Sequence, residues 1–473
     1  MKTLKTTLCV LFGLALAPSV SEAQRLSLQT STFARGYLLP GVDDSRLLVP
    51  FYQYITLHAD ELGTPGLSIE GSLWGAIQAA DRDLDDNRAI GDVNVLFVRY
   101  APGPKSKARG LELRLGRQFV SVGPALAEHL DGLFASYHLP GGIDVAAFGG
   151  APTGTRFIYQ PWAKIDGEFD YGKNWLIGGR LGWHYADIVR LGVAYRHKRY
   201  NDELAFDEIA WDAVISPIAR LRLLTDGIAD MVTTNLKDAR AAVAYDVNQA
   251  FSGAAGYRYI RPDLYLPRTS IFAVFSDAAH HEGYMEFTFR SDQRRLLITA
   301  EMAMLRYEQS CTRGTVTGST CSPREVELQA LLRADAYFGW DRRYRVSVTG
   351  QRVGSPQSGM SRVRVAVNGP IWRELRGTID VDAHVLDRAP GEDNAALNLS
   401  TNSRFSLSGS GYLSYPFAHN LSLLAGGQLA HTPLYSEVAS FLVRLNWQFD
   451  RPKSSGPVKV EKQTRSSLFG AVL

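Results

Sequence analysis

The chain has 473 residues, 45% of them hydrophobic and 21% charged, and a formal net charge of +3. Charge so near to balance gives no argument for a nucleic-acid partner, no basic block supplies one, and no apolar run after the N-terminus approaches the roughly 20 residues of a membrane-spanning helix. A chain of this length makes roughly two or three soluble domains or one very large β structure.

It opens MKTLKTTLCVLFGLALAPSVSEAQ, with Lys2 and Lys5 ahead of an apolar stretch from Leu8 to Leu16, then Ser21-Glu22-Ala23 as a small-residue cleavage site. Residues 1–23 therefore read as a secretory signal, because about nine apolar residues are too few to anchor in a bilayer. Cys9 would leave with it. From residue 24 to 449 the pattern has period two almost throughout, and helical spacing is nearly absent.

Residues 174–199, NWLIGGRLGWHYADIVRLGVAYRHKR, pose the central question: one face is oily and includes Trp183 and Tyr185, while the other carries Arg180, His184, Arg190 and Arg196. From Val326 to Phe338 the apolar set Val326, Leu328, Ala330, Leu332, Ala334, Ala336 and Phe338 opposes Glu327, Gln329, Arg333 and Asp335. Tyr344, Val346 and Val348 oppose Arg343, Arg345 and Thr349; Val363, Val365 and Val367 oppose Arg362 and Arg364; Ile379, Val381 and Val385 oppose Arg376, Asp380, Asp382 and His384. Each is a strand with one greasy and one charged face.

There are about 22 such segments, within a range of roughly 18 to 22, and their connections alternate long with short. Long links include 81–92, 150–174, 261–280, 310–323 and 388–403; short ones include 140–142, 186–187, 291–294 and 417–420. Long outer loops, short inner turns and an even strand number describe a closed antiparallel transmembrane β-barrel, which with the helix is the only structure that satisfies every backbone group in hydrocarbon. If the short turns lie at the periplasmic end, Trp183, Tyr185, Phe338, Tyr344, Tyr415, Trp447 and Phe449 form an interfacial girdle there. The oily faces then meet lipid. A soluble sandwich or propeller is the alternative, and the absence of a blade repeat, the regular connections and the signal weigh against it.

The last strand, VASFLVRLNWQF from Val438, turns Phe441, Val443, Leu445, Trp447 and Phe449 to one side. With the alternation over residues 25–449, it resembles the Gram-negative outer-membrane β-barrel superfamily in the porin-like sense. That resemblance implies lipid of the outer membrane as surroundings and recognition of the aromatic-ended strand by the barrel-assembly machinery. GLELRLGRQFVSVG from Gly110 and DGLFASYHLPGGIDVAAFGG from Asp131 are similar to barrels that pass sugars or export acidic polysaccharide. The chain departs from the pattern after Phe449: residues 450–473 form a basic tail with Pro452, Gly456 and Pro457, expected to be flexible and solvated or to dock a periplasmic partner through Leu468, Phe469 and Val472.

The first strand begins just after the cleavage site, which leaves no room for a plug domain, so the lumen should be open or narrowed only by loops, with 150–174 and 261–280 the candidates. The inward face should carry Arg180, Arg190, Arg196, Arg220, Arg222, Arg240, Arg258, Arg333, Arg343, Arg345, Arg362, Arg364, Arg376 and Arg444. These could select anions, or could pair with Glu208, Asp212, Asp335, Asp380, Asp382 and other inward acids and merely stiffen the wall. Arg343, Arg345, Arg362 and Arg364 are the expected anion-attracting patch.

Cys311 and Cys321 enclose the polar TRGTVTGST and are expected to staple that loop in an oxidising compartment, since no histidine or further cysteine stands near for a zinc site. No cofactor, no metal and no enzyme is expected. Neither G-x-S-x-G nor H-E-x-x-H occurs, and in His280-His281-Glu282 adjacent strand residues point to opposite faces. A channel with an arginine-rich lumen, passing solutes or an anionic polymer such as polysaccharide, is the functional expectation. A non-conducting sleeve for a partner and an outer-membrane enzyme are the alternatives.

Overall fold

A computed structural model describes residues 23–39, 46–78, 89–102, 110–123, 127–153, 172–265, 279–291, 295–308, 310–314, 318–322, 326–339, 343–354, 359–387, 404–433 and 438–451. The segments read as signal and as basic tail lie outside these, apart from Ala23, Asp450 and Arg451. The wall is a closed, antiparallel barrel of 22 strands. Each strand hydrogen-bonds to its neighbours in sequence, and the first, Ala23–Leu39, pairs with the last, Val438–Arg451, from Leu26↔Arg451 to Tyr37↔Ser440. Closure leaves no edge strand, so the ladder groups find neighbours without help from water except along one seam. A short hairpin, Ser310–Gly314 with Gly318–Ser322, pairs only with itself, and Pro262–Tyr265 forms a single turn of 3-10 helix. Among the described residues no helix is long and apolar enough to cross a membrane.

The side-chain distribution is that of a soluble protein turned outward. Leu181, Val193, Phe287, Met304, Leu332, Val363, Ile379 and Leu429 are exposed on the outer face, Leu429 by 70%. Arg180, Glu286, Arg333, Arg364 and Asp380 occupy alternate positions on the same strands and point inward. So large and continuous an apolar surface requires lipid as its solvent. The girdle residues Trp183, Tyr185, Phe338, Tyr344, Tyr415, Trp447 and Phe449 are all exposed on that surface beside the short turns. Trp183 stacks near Tyr185 and Trp447 near Phe449, each pair with centroids 6.3 Å apart.

The alternation of long and short connections holds at most links and fails at three. Tyr200 passes to Glu203 through Asn201 and Asp202, both left-handed (φ 50° and 63°), and Asp230 to Asn235 through a tight turn, although both links lie at the long-loop end. Two left-handed residues in succession match the twist of paired strands, and short polar side chains tolerate that conformation. At the other end the link from Tyr100 to Leu111 is longer than a turn requires.

Candidate functional site: a hairpin folded into the lumen

The wall is not uniform. Leu111–Ser121 bonds to Ala89–Tyr100 only from Tyr100↔Leu113 to Leu96↔Arg117, yet its own hairpin with Ala127–Leu139 continues to Ser121↔Ala127. Beyond Arg117 the hairpin leaves the wall and bends inward. Val120 and Val122 pack in one buried cluster with Leu130 of the same hairpin and with Phe148, Leu176, Ala194, Ala210 and Ile228, which belong to the inner faces of the next strands round the barrel. Leu130 and Leu176 are 0% exposed. The inner face here carries an apolar patch, and the hairpin covers it. Gly123 shows how close the approach is: a Cβ there would stand 2.3 Å from Arg180 Nη1, so only glycine lets the chain rest on the Arg180–Asp212 pair (2.5 and 2.8 Å).

Charge fastens the tip. Glu128 accepts from Arg196 and from Lys198 Nζ (3.0 Å), Arg196 donates also to Glu208, and Lys237 Nζ donates to Glu208 (2.6 Å). Glu208 is 1% and Lys237 3% exposed, so these charges are withdrawn from water and depend on one another. The Phe206 ring lies under Arg196, Lys237 and Lys198 at 4.8, 5.0 and 5.8 Å, adding cation–π attraction in a desolvated setting. A bulge makes the arrangement possible: Ile228 pairs with Asp238 and Ala229 with Leu236, so Lys237 is the extra residue and points inward beside Asp238. Asp238 accepts from Arg258 (2.8 Å) and from the Tyr265 hydroxyl (2.5 Å), and Tyr265 caps Lys237 with its ring at 4.4 Å. Burial, and then the Asp238 carboxylate, hold the Tyr265 pKa above its ordinary value, so the hydroxyl remains a donor.

Where the hairpin departs, side chains replace the missing ladder. Arg117 Nη1 donates to Val93 O and Asp92 Oδ1, both at 3.0 Å, while its Nε and Nη2 grip Asp131 at 2.8 Å each. His129 Nε2 meets the carbonyl of Asn94, the bulged residue of its strand, and Thr153 Oγ1 lies 2.6 Å from Nδ1. Arg117 and Asp131 share the outward face with Leu115, Phe119 and Leu133. A charged pair there is costly in hydrocarbon and persists because it closes a seam in the wall.

Of the expected lumen arginines, most meet an acid. Besides those already placed, Arg222 faces Asp246 (3.6 Å), Arg240 Asp226 (2.7 Å), and Arg333 and Arg345 share Asp335 (3.0 and 2.9 Å). Arg362 holds Asp382 (Nε at 2.7 Å) and Arg364 holds Asp380 (Nε at 2.9 Å). In the expected anion patch, Arg345, Arg362 and Arg364 are therefore ion-paired, and Arg343 lies in the turn before Tyr344–Val353. Arg220 sits in a turn and donates to Val247 O (3.3 Å), and Arg376 donates to Asn368 (3.1 Å). Arg190, Arg220, Arg376 and Arg444 have no carboxylate partner among the described residues. His280 and Glu282 take the inward register and His281 the outward one.

The loop 150–174 lies mostly outside the described residues, as does 266–278; the described start of the latter is the Pro262–Tyr265 turn on Asp238. The inserted hairpin was not foreseen, because its residues alternate as any wall strand does. Also unforeseen is an inward aromatic array: Phe33 stacks on Tyr52 (4.6 Å) and Tyr54 (5.5 Å), and Tyr54 on Trp74 (6.1 Å). Cys311 and Cys321 face each other in the register of their hairpin, and their side chains lie outside the described residues.

No protein-family model matches the chain and no curated protein matches it. Solved structures do. The P pilus usher (PapC) translocation pore aligns over 89% of this chain and 99% of its own, with a TM-score of 0.51 at 9% identity. The siderophore receptor PirA from Pseudomonas aeruginosa aligns over 89% and 80%, with a TM-score of 0.58 at 11% identity. At such identities the likeness is one of fold. Closed 22-stranded wall, lipid-facing apolar surface and aromatic girdle together define a transmembrane β-barrel, the fold this chain shares with these outer-membrane proteins.

Proposed function

We propose that this chain is an outer-membrane channel for small solutes with a weak preference for anions, narrowed from one side by the inserted hairpin. One observation carries the reading: Val120, Val122 and Glu128 bind the hairpin to one side of the inner wall, whereas 16 to 18 strands already suffice to leave an aqueous channel. The hairpin therefore constricts without filling. Cross-strand pairing cancels most of the arginine charge, which leaves Arg190, Arg376 and Arg444 to bias a passing ion. An anionic polysaccharide, the larger cargo anticipated from the sequence, would need the hairpin to leave the lumen.

Two attachments belong to the same proposal. The strand Val438–Arg451, with Trp447 and Phe449 outward, serves as the signal for barrel assembly, and residues 452–473 dock a periplasmic partner. The test is a planar bilayer holding the folded chain under a salt gradient. Steady conductance with a reversal potential on the anion side supports the channel; a heat-modifiable, folded protein that conducts nothing refutes it and favours a sleeve.

A further inference from the structure

We propose that the patch of inner wall beneath the hairpin is a binding site for an aliphatic carboxylate, and that the hairpin is its built-in competitor. The inference rests on the channel reading and adds to it a ligand that opens the pore.

The register of the wall sets two kinds of side chain in successive rows. Ala194, Ala210 and Ile228 stand opposite one another on three neighbouring strands. One repeat along the same strands, about 7 Å away, come Arg196, Glu208 and Asp230, and Lys198 follows Arg196 on its own strand. An apolar shelf therefore adjoins a charged one. The hairpin carries the complement. Val120 and Glu128 face each other across its ladder, with roots about 4.5–5.5 Å apart; Val120 rests in the apolar cluster, and Glu128 meets Arg196 and Lys198. What occupies the patch is thus a branched aliphatic group beside a carboxylate.

A free molecule of that description makes the same two contacts. With Glu128 gone, Arg196 retains Glu208, which Lys237 also holds, but Lys198 has no second acid among the described residues. Arg196 is buried, and its Nε meets no acceptor among the described residues. The guanidinium therefore keeps a donor that the hairpin does not use, which a small carboxylate is free to take. Phe206 lies under both cations, 4.8 Å from Arg196 and 5.8 Å from Lys198, and extends the apolar surface to the foot of the charged row. Acetate reaches the cations and leaves the shelf bare. A neutral alcohol covers the shelf and leaves the cations unanswered.

Hairpin and ligand exclude one another, so a ligand that takes the patch holds the hairpin away and widens the lumen. Its apparent affinity is the intrinsic one reduced by the fraction of chains whose hairpin is undocked. That relation gives the test its sign: loosening the hairpin tightens the ligand.

The probe is hexanoate, with acetate and 1-hexanol as comparisons, followed by single-channel recording in potassium chloride and by isothermal titration calorimetry of the folded protein. Conductance in chloride alone establishes the pore, and calorimetry reports binding whether or not current flows, so failure of the channel reading and failure of this one are distinguishable. Hexanoate is expected to raise the occupancy of the larger conductance level at concentrations about tenfold or more below those of either comparison. Glu128→Gln should lower the hexanoate Kd about tenfold or more, although it takes nothing from the wall. Val120→Ser loosens the hairpin from its apolar side and should lower the Kd about tenfold, which keeps the test in hand should Glu128→Gln fail to fold. Adding Lys198→Gln to Glu128→Gln should raise the Kd about tenfold, because the hairpin no longer competes and only the ligand loses a partner. Equal binding of hexanoate and acetate by the native chain, or folded Glu128→Gln and Val120→Ser proteins that bind hexanoate no tighter than the native chain does, overturns the proposal.

Discussion

Glu128 is the residue through which the hairpin can be released without touching the wall. Its side chain meets Arg196 and Lys198 in a setting where Arg196 is 8% and Glu208 1% exposed. The desolvated cluster balances Arg196, Lys198 and Lys237 against Glu128, Glu208 and Asp230. Glu128→Gln preserves shape and removes one anion, leaving a buried positive charge without compensation, which costs about 3–5 kcal/mol. That cost falls only on the docked state, since undocking returns Arg196 and Lys198 to water. Opposing it are Val120 and Val122, each contributing about 1.5–3 kcal/mol by burial. A loss of about 3 kcal/mol lowers the docked-to-undocked ratio more than a hundredfold.

The expected record is a larger main conductance level, or frequent excursions to one, and faster uptake of solutes excluded by the native channel. The double variant Glu128→Gln with Arg196→Met restores the balance of charge, so it should recover part of the native level even though it removes a further contact. A folded Glu128→Gln protein with native conductance and native open-channel noise would refute the account of what holds the hairpin.

Three further outcomes follow. Arg117→Leu leaves Asp92 and Asp131 facing each other at the seam without a cation; a stability loss of about 3–5 kcal/mol is expected, read as a fall in the temperature at which the barrel unfolds on gels. Arg364→Gln exposes the charge of Asp380, so the reversal potential should move toward cations; adding Asp380→Asn should move it back. Cys311 and Cys321 stand opposite in register, and mass spectrometry of unreduced peptides should recover 310–322 as a linked pair, free thiols being the contrary result.

Period-two patterning told which residues face lipid, because one solvent rejects every polar group: Val363, Val365 and Val367 could only be outward if Arg362 and Arg364 were inward. What it could not tell was what each inward residue meets. Arg364 and Asp380 are sixteen positions apart and touch only because their strands run in one particular register. Register is set by turns such as Arg373-Glu374, where Arg373 is left-handed (φ 49°). The bulge at Lys237 was hidden for a related reason: one extra residue turns a position expected outside to the inside. The hairpin was hidden more deeply. Val120, Leu130 and Leu176 alternate with neighbours as wall residues do, and their inward parity alone would have suggested a fault in the pattern rather than a covered surface.

The pairing of the wall bears directly on selectivity. An isolated guanidinium on the inner face attracts anions over a distance of about 8–10 Å at physiological salt. A guanidinium holding an aspartate at 2.7 to 2.9 Å, as Arg362 and Arg364 do, presents a dipole whose field fades faster still. Counting arginines therefore overstates the potential that an ion meets. The relevant quantity is the few lumen arginines that no carboxylate answers among the described residues, and of these Arg444 borders a cavity that Phe33 and Tyr412 also line. Strong pairs elsewhere lower the background against which that one position acts, so a wall dense in charge can still discriminate at a single place.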